Sequence, residues 1–114
     1  MKTISRNRLK AMMDSNEPFE LFETLDQDEF DDFHLPGARH MPLDDSFDDA
    51  VRSAVPNADT TIVVYCKSEN CSASEKAAKR LIDLGYTDVL DYEAGKEDWK
   101  GAGLPIVQPT GAAR

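Results

Sequence analysis

The sequence predicts an α/β fold, in which a central and mostly parallel sheet is flanked by helices. Short runs of apolar, β-branched residues alternate along the chain with segments whose apolar residues recur at spacings of three and four. Strands that alternate with helices usually pair in parallel and bury their faces under those helices. The chain has 114 residues, 40% of them hydrophobic, and no long linker or internal repeat. We therefore expect a single domain over residues 1–114, with a core at about 4–107 and a flexible tail at 108–114.

The first half of the chain contains two predicted helices and, between them, a predicted strand. Ser5 is suited to cap the first helix, and the run Asp-Ser-Asn-Glu-Pro at residues 14–18 ends it. The apolar face of this helix consists of Leu9, Met12 and Met13. A strand is predicted at residues 19–24. Ser46 then begins a second helix, whose apolar stripe consists of Phe47, Ala50, Val51 and Ala54.

The middle of the chain contains the strongest strand and helix signals. Residues 61–65, Thr-Ile-Val-Val-Tyr, are typical of a strand that is buried on both faces. Ser72 and Glu75 have the spacing of a capping box, so a helix is predicted over residues 73–84. The residues of this helix that are expected to face the core are Ala77, Ala78, Leu81 and Ile82.

The last third of the chain continues the alternation of strands and helices. Gly85 is expected to end the preceding helix in a left-handed backbone conformation. A further strand is predicted at residues 88–92, and Trp99 is expected on a short last helix, as an anchor in the core or in a pocket wall.

Cys66 lies between the strand predicted at 61–65 and the helix predicted at 73–84. The N-terminus of a helix favours an anion, because its free N–H groups and its dipole point toward it. This position is expected to lower the thiol pKa from about 8.5 toward neutrality. Ligands of parallel α/β sheets also bind at the carboxyl ends of strands. We therefore predict that Cys66 is a nucleophile; the alternative is an inert buried side chain, as many free cysteines are.

The charge of the chain limits its partners. The formal net charge is −9, and much of it lies in two acidic runs, residues 26–32 and 44–49. Such a surface disfavours nucleic acid and anionic membranes, but it can attract a basic protein partner. No apolar run is long enough to span a membrane, and the N-terminus lacks the apolar core of a signal peptide. A cytoplasmic location is expected, in which both cysteines are thiols.

Three segments together resemble the signatures of the rhodanese-like (sulfurtransferase) family. Residues 34–38, His-Leu-Pro-Gly-Ala, are similar to its His-x-Pro-Gly-Ala signature. Residues 64–66, Val-Tyr-Cys, with the five-residue loop that follows, resemble its active-site segment. Gly95, Trp99 and the Gly-Leu-Pro of residues 103–105 resemble its closing pattern. The three segments occur in the order that the family has.

This resemblance implies a rhodanese-like three-layer fold and a sulfurtransferase reaction. Cys66 would accept a sulfane sulfur as a persulfide and pass it to a thiophilic acceptor, either a thiol or a cyanide-like molecule. The donor would be thiosulfate or a small-molecule or protein persulfide, and no metal or organic cofactor is implied. The backbone N–H groups of the loop would stabilise the anionic sulfur. The resemblance places the active-site loop at Lys67, Ser68, Glu69, Asn70, Cys71 and Ser72.

The chain departs from the family pattern at positions that matter for anion binding. Cys71 stands where many active members have Arg, Glu69 where they often have Gly, and Glu-Thr-Leu at 23–25 where they tend to have Asp-x-Arg. An Arg side chain would bind thiosulfate through a fork of donors. Lys67 is the only basic residue of the loop, and Glu69 opposes its charge. We therefore expect poor use of thiosulfate and a preference for persulfide donors.

Cys71 leaves a second hypothesis open. If its Cβ atom lies close to that of Cys66, Cys71 can act as a resolving thiol that closes a disulfide. The protein would then be a thiol–disulfide or redox-sensing protein. The alternative is that Cys71 only fills space under the loop. A third hypothesis is a non-catalytic rhodanese-like binding module; the presence of Cys66 argues against it, and the missing Arg residues argue for it.

The two histidines are not expected to bind a metal. The spacing of His34 and His40 does not match the common zinc patterns, and no metal site is predicted. His34 is instead expected to fix the turn before Pro36 and Gly37 through side-chain hydrogen bonds. Gly37 is expected to provide a backbone conformation that other residues rarely adopt.

Overall fold

The computed structural model of the protein describes residues 2–108, which form a five-stranded sheet covered by helices on both faces. The strands are Lys2–Thr3 (β1), Glu20–Glu23 (β2), Arg39–His40 (β3), Thr61–Tyr65 (β4) and Asp88–Tyr92 (β5). The helices are Arg6–Asp14 (α1), Gln27–Asp32 (α2), Phe47–Ala54 (α3), Ala73–Asp83 (α4) and Gly95–Gly101 (α5).

The strands have the order β1-β5-β4-β2-β3, and each of these neighbours is paired in parallel. β4 is at the centre, where Val63 is opposite Leu21 on β2 and opposite Leu90 on β5. The predicted parallel sheet is therefore confirmed. Outside the sheet, His34 and Val107 form an isolated antiparallel bridge, which ties the end of the described chain to the segment after α2.

The central strand β4 separates two hydrophobic clusters. Ile62 and Val64 point to one face, where α3 and α4 cover the sheet with Phe47, Val51, Ala77, Ala78 and Leu81. Val63 and Tyr65 point to the other face, where α1 and α5 cover it with Leu9, Met12 and Trp99. The three layers follow from this alternation, since both faces of β4 are apolar and both need cover.

Several predicted helix ends are confirmed. The Ser5 hydroxyl accepts a hydrogen bond from the Arg8 N–H at 3.1 Å, as an N-cap does. Gly85 has φ of 102°, and the N–H of Tyr86 returns to the carbonyl of Leu81, which closes α4. Trp99 is fully buried in the core, and its indole N–H donates to the Pro105 carbonyl at 2.7 Å.

Three elements were not predicted: β1, α2 and β3. β1 and β3 have two residues each, so their sequences contain no periodicity, and they are strands only because β5 and β2 pair with them. α2 lies within the acidic run at 26–32, where Asp26 caps the helix by accepting from the Glu29 N–H at 3.1 Å. This helix has no fully buried residue, so no apolar stripe revealed it.

Two predictions for α4 are wrong. Ser72 occupies the N-cap position, but its side chain makes no capping hydrogen bond within residues 2–108. Its φ of −97° and ψ of 0° differ from the extended backbone that directs a capping hydroxyl toward the helix. Glu75 instead lies 3.9 Å from Lys79, one turn further on. Ile82 does not face the core: it is 41% exposed, because the buried stripe of the helix passes through Leu81.

Part of the predicted tail at 108–114 lies outside the described residues, since these end at residue 108. Within the described part of the chain, the helices are all too short or too polar to cross a membrane.

Truncation of two neighbouring residues on α4 tests the assignment of its buried face. We expect Leu81→Ala to lower the free energy of unfolding by about 2–5 kcal/mol, because Leu81 is fully buried and its removal leaves a cavity. Ile82→Ala should lower it by less than about 1 kcal/mol. Urea denaturation of both variants measures the difference. Equal losses would contradict the assignment.

Candidate active site at the end of the central strand

Cys66 directly follows β4, and the backbone around it is held from two sides. From β2, the N–H of Thr24 donates to the carbonyl of Tyr65 at 3.1 Å. From α5, the N–H of Lys96 donates to the carbonyl of Cys66 at 2.9 Å, and the N–H of Glu97 donates to that of Lys67 at 3.0 Å. The loop of residues 66–72, named here the Cys66 loop, therefore begins on a fixed backbone.

Gly95 allows α5 to approach the Cys66 loop this closely. It has φ of 79°, and a Cβ atom at this position would lie 2.6 Å from backbone atoms of Lys67 and Ser68. Contacts of this length do not occur for real Cβ atoms. Gly95, the glycine of the closing pattern, is thus required for two reasons: its backbone conformation and the absence of a Cβ atom.

The thiol of Cys66 points into the protein. Its Sγ atom lies 3.3 Å from the carbonyl oxygen of Cys71, 3.5 Å from the hydroxyl of Ser74 and 4.0 Å from the carbonyl oxygen of Ser68. Cys66 is only 1% exposed. The thiol is therefore surrounded by oxygen acceptors, toward which a neutral S–H group can donate.

Burial raises the pKa of the Cys66 thiol above its ordinary value, and its hydrogen bond to the Cys71 thiol acts in the same direction. The hydroxyl and the N–H of Ser74 oppose this effect without reversing it. The structure therefore gives the opposite direction to the lowered pKa that the sequence predicts. The reason is the orientation of the side chain, because carbonyl oxygens stabilise the neutral thiol and desolvation penalises the thiolate.

Cys71 has the environment that was predicted for Cys66. Burial tends to raise its pKa, but the pKa is lowered overall by hydrogen bonds from the Cys66 thiol and from the N–H groups of Ala73 and Lys67. Cys71 is half-buried, so it is more accessible than Cys66. Both cysteines are free thiols. The loop thus brings the two cysteines together and supplies its N–H donors mainly to the second.

The other residues of the Cys66 loop are more exposed. Lys67 points away from the thiols and forms an ion pair with Glu29 of α2 at 3.2 Å. The N–H of Cys71 donates to the Ser68 carbonyl at 3.0 Å, which forms a turn. Glu69, Asn70 and Ser72 are exposed. The charge of the only basic side chain in the loop is therefore directed to α2 rather than to the thiols.

A buried ion pair beneath the loop was not predicted from the sequence. Lys96 and Glu23 are both fully buried, and their Nζ and Oε2 atoms lie 3.0 Å apart. The Tyr65 hydroxyl donates to the other oxygen of Glu23 at 2.8 Å. Lys96 also donates to the carbonyls of Phe33, at 2.7 Å, and Glu29. Burial raises the pKa of Glu23, while Lys96 and Tyr65 act to lower it. In the sequence, Lys96 lies in a polar run and resembles a surface residue.

The two histidines lie around Phe30 of α2. His34 stacks on the Phe30 ring, with centroids 3.9 Å apart, and its Nδ1 is 3.2 Å from the Phe30 carbonyl. His34 is predicted to fix the turn before Pro36 and Gly37 through side-chain hydrogen bonds, and its bond reaches back to the end of α2. Gly37 has the predicted positive φ, 79°. His40 Nε2 is 2.6 Å from the carbonyl of Leu25. Residues 2–108 contain no group of three His, Cys, Asp or Glu side chains that is arranged to bind a metal.

The comparison with known proteins agrees with these features. Residues 5–102 match the family model of the rhodanese-like domain. The chain belongs to the rhodanese-like domain family. A solved thiosulfate sulfurtransferase from Pseudomonas aeruginosa superimposes with a TM-score of 0.84 and 27% identity, over 95% of this chain and 20% of that protein. The Alr3790 protein from Anabaena sp. has the same fold, with a TM-score of 0.81 and 24% identity over 91% of this chain and 90% of its own.

Curated relatives of this rhodanese-like chain include proteins named for sulfur handling. It is 35% identical over 80 residues to the thiosulfate sulfurtransferase GlpE of Pseudomonas putida, which covers 70% of this chain and 67% of that protein. It is 29% identical over 98 residues to the putative sulfur carrier protein YrkF of Bacillus subtilis, which covers 86% of this chain. The chain spans half the length of YrkF and 19% of an adenylyltransferase and sulfurtransferase of Candida albicans.

Substitution of two glycines that have the same φ tests the cost of backbone strain and the cost of the close approach separately. Gly95 and Gly103 both have φ of 79°, but no atom lies within 4 Å of a Cβ built on Gly103 in the described structure. An alanine at either position should lose roughly 1–2 kcal/mol through its left-handed backbone. Gly95→Ala should lose more and should shift the amide resonances of Lys67 and Ser68. Equal losses of stability, with unchanged loop resonances, would show that the close approach is unimportant.

Proposed function

We propose that this protein is a sulfurtransferase that accepts sulfane sulfur as a persulfide on Cys66 and passes it to a thiophilic acceptor. The observation that carries this proposal is the position of a free thiol at the carboxyl end of the central strand, in a loop held by β2 and α5. Membership of the rhodanese-like family and the names of the relatives support sulfur transfer in general.

The proposed chemistry balances without a cofactor. The Cys66 thiolate attacks the outer sulfur of a donor persulfide, R–S–S–H; the donor S–S bond breaks and R–S⁻ leaves, which then takes up a proton. Cys66 now holds the transferred sulfur as Cys66–S–S–H. An acceptor thiolate attacks this outer sulfur, the new S–S bond breaks, and Cys66 is regenerated. Each half is an exchange of thiolates at sulfur, as in thiol–disulfide exchange.

The Cys66 loop favours a persulfide over thiosulfate as the donor. Thiosulfate is a dianion, and its binding needs cationic donors. The Lys67 ammonium is engaged with Glu29, Glu69 is exposed on the loop, and Cys71 stands at the position where many family members have Arg. A protein donor or acceptor with a basic surface would complement the acidic α2, which is connected to the loop through the Lys67–Glu29 pair.

A second candidate function is thiol–disulfide chemistry by the Cys66–Cys71 pair. The observation that favours it is the contact between the Cys66 Sγ and the Cys71 carbonyl oxygen at 3.3 Å, which brings the two residues together, and the lowered pKa of Cys71 agrees with it. In this reaction the Cys71 thiolate attacks the inner sulfur of the Cys66 persulfide. A Cys66–Cys71 disulfide forms and HS⁻ leaves, so the persulfide itself is the oxidant.

Intact-mass measurement tests the main proposal. After incubation with a small-molecule persulfide, the protein should gain the mass of one sulfur atom, and Cys66→Ser should gain none. Thiosulfate should load the protein at least about tenfold more slowly, because the loop lacks a free cation. Ile82→Ala, at an exposed position on α4 outside the Cys66 loop, is the control and should load as the parent does. Loading of Cys66→Ser at the parent rate would refute the assignment of Cys66.

Replacement of Cys71 tests the second function. If Cys71 resolves the persulfide, Cys71→Ser should make the Cys66 persulfide longer-lived by about tenfold or more, since the internal thiolate is gone. The parent should lose two hydrogens in mass as its disulfide forms, and the variant should not. Equal persulfide lifetimes, with no disulfide peptide in the parent, would leave Cys71 as a packing residue.

A further inference from the structure

Glu29 of α2 holds the only cationic side chain of the Cys66 loop. Its Oε2 atom lies 3.2 Å from the Nζ atom of Lys67, the residue that directly follows Cys66 in the chain. The side chains of Lys67 and Glu29 are 46% and 30% exposed, so the pair lies at the surface beside the loop. Glu29 has no direct part in the proposed sulfur transfer, yet it determines where the charge of Lys67 is directed.

The backbone and the carboxylate of Glu29 are both held in place. Its N–H donates to the Asp26 carboxylate at 3.1 Å, and its carbonyl accepts from the ammonium of Lys96. The second oxygen of its carboxylate, Oε1, lies 3.9 Å from the Nζ of Lys96, which is fully buried. The backbone N–H of Lys96 also holds the carbonyl of Cys66. Glu29 is therefore positioned relative to the Cys66 loop by one residue that contacts both.

The backbone of Lys67 is fixed as well, so its side chain is the part that can move. Its carbonyl accepts from the N–H of Glu97 at 3.0 Å. The hydrogen bond to Glu29 raises the pKa of the Lys67 ammonium, and the charges of Glu97 and Asp32 act in the same direction, so the side chain keeps its positive charge. A lysine ammonium lies on a flexible four-carbon stem, and it takes up other directions when its partner is removed. The position of this charge therefore depends on Glu29.

We propose that Glu29 determines the donor specificity of the Cys66 loop, because it keeps the Lys67 ammonium from an approaching anion. A dianionic donor such as thiosulfate meets a loop whose one cation is already paired, whereas a donor with less charge loses little. When Glu29 is neutral, the Lys67 ammonium is free to bind the anion. Glu29 acts through Lys67 and is a positioning residue. This inference rests on the proposed function in one respect, that the approaching molecule is a sulfur donor.

The test compares two alkylating agents of similar size and different charge, the anion iodoacetate and the neutral iodoacetamide. The ratio of their rates at one thiol cancels the reactivity and the burial of that thiol and retains the effect of nearby charge. A protease that cleaves after Glu69 places Cys66 and Cys71 on separate peptides, so mass spectrometry follows each thiol by itself. Alkylation needs no sulfur donor, so this measurement is independent of whether Cys66 forms a persulfide.

Glu29→Gln is the variant that releases Lys67. Glutamine keeps the size of the side chain, and the two backbone hydrogen bonds of residue 29 do not depend on its charge. The ratio of iodoacetate to iodoacetamide rates should rise about two- to fivefold at Cys66, the range expected for one exposed ion pair, and should rise at the more accessible Cys71 as well. In about 1 M salt the gain should largely disappear, because exposed charges are screened. An unchanged ratio at both thiols in low salt would overturn the proposal.

Two further variants show whether the gain arises from Lys67 or from net charge alone. The double variant Glu29→Gln with Lys67→Met should return to within about 1.5-fold of the parent ratio, because the released cation is gone. Asp28→Asn is the matched control: Asp28 is exposed on the same helix and, within residues 2–108, forms no ion pair with Lys67. Its ratio should also stay within about 1.5-fold of the parent. A gain that persists in the double variant, or an equal gain in Asp28→Asn, would overturn the proposal.

Sulfur loading relates this effect to the proposed function. By intact mass, Glu29→Gln should load from thiosulfate about two- to fivefold faster than the parent, and its gain with a small-molecule persulfide, which carries less charge, should be smaller. Equal gains with both donors would overturn the proposal that Glu29 sets donor specificity, while Cys66 would remain the sulfur carrier. If neither protein loads from either donor, the proposed function fails, and the alkylation ratio still decides whether Glu29 controls the charge of Lys67.

Discussion

The structure of the site depends on Lys96. Its backbone N–H holds the carbonyl of Cys66, and its side chain reaches the carboxylate of Glu23 and the carbonyls of Glu29 and Phe33. One residue thus ties the end of β4 to β2 and to α2. A buried charge is stable only when it is paired and fully hydrogen-bonded, and the removal of one member of such a pair typically loses about 3–5 kcal/mol. The geometry of the pair therefore fixes where the Cys66 loop begins.

The Cys66 loop places its two sulfur atoms in different surroundings. Cys66 is buried among oxygen acceptors, and its neutral form is favoured. Cys71 is half-buried and receives N–H groups that favour its thiolate. One short loop thus holds the two thiols in unlike environments. The Cys66 thiol is shielded from water, whereas Cys71 is the more accessible of the two.

The parts of the fold with a strong apolar pattern could be predicted from the sequence. β4 and α4 were predicted because an unbroken apolar run and a regular apolar stripe leave few alternatives. β1 and β3 are strands only through their neighbours, and such pairing is not encoded in two residues. α2 has one apolar residue, Phe30, and is fixed by the contacts of its ring and by Lys96. These elements depend on tertiary contacts rather than on local pattern.

For the site, the sequence predicts Cys66 as the reacting residue but not the direction in which its thiol points. That direction depends on the backbone of the Cys66 loop and on a side-chain rotamer, neither of which follows from residue spacing. Glu23 was noted only as a departure from the family pattern. Its partner Lys96 lies 73 residues further along the chain, so only the folded structure brings the two together.

The division of β4 into two faces has a consequence for how such a protein can diverge. The thiol of Cys66 contacts Ser74 of α4 on one side of the sheet, whereas the Glu23–Lys96 pair lies with Tyr65 on the side of α1 and α5. The proposed reacting thiol and the supporting ion pair thus lie on opposite sides of the sheet. Substitutions in the first turn of α4 can change the surroundings of the thiol while the ion pair on the other side stays as it is. The proposed reaction can therefore diverge through changes on one side of the sheet alone.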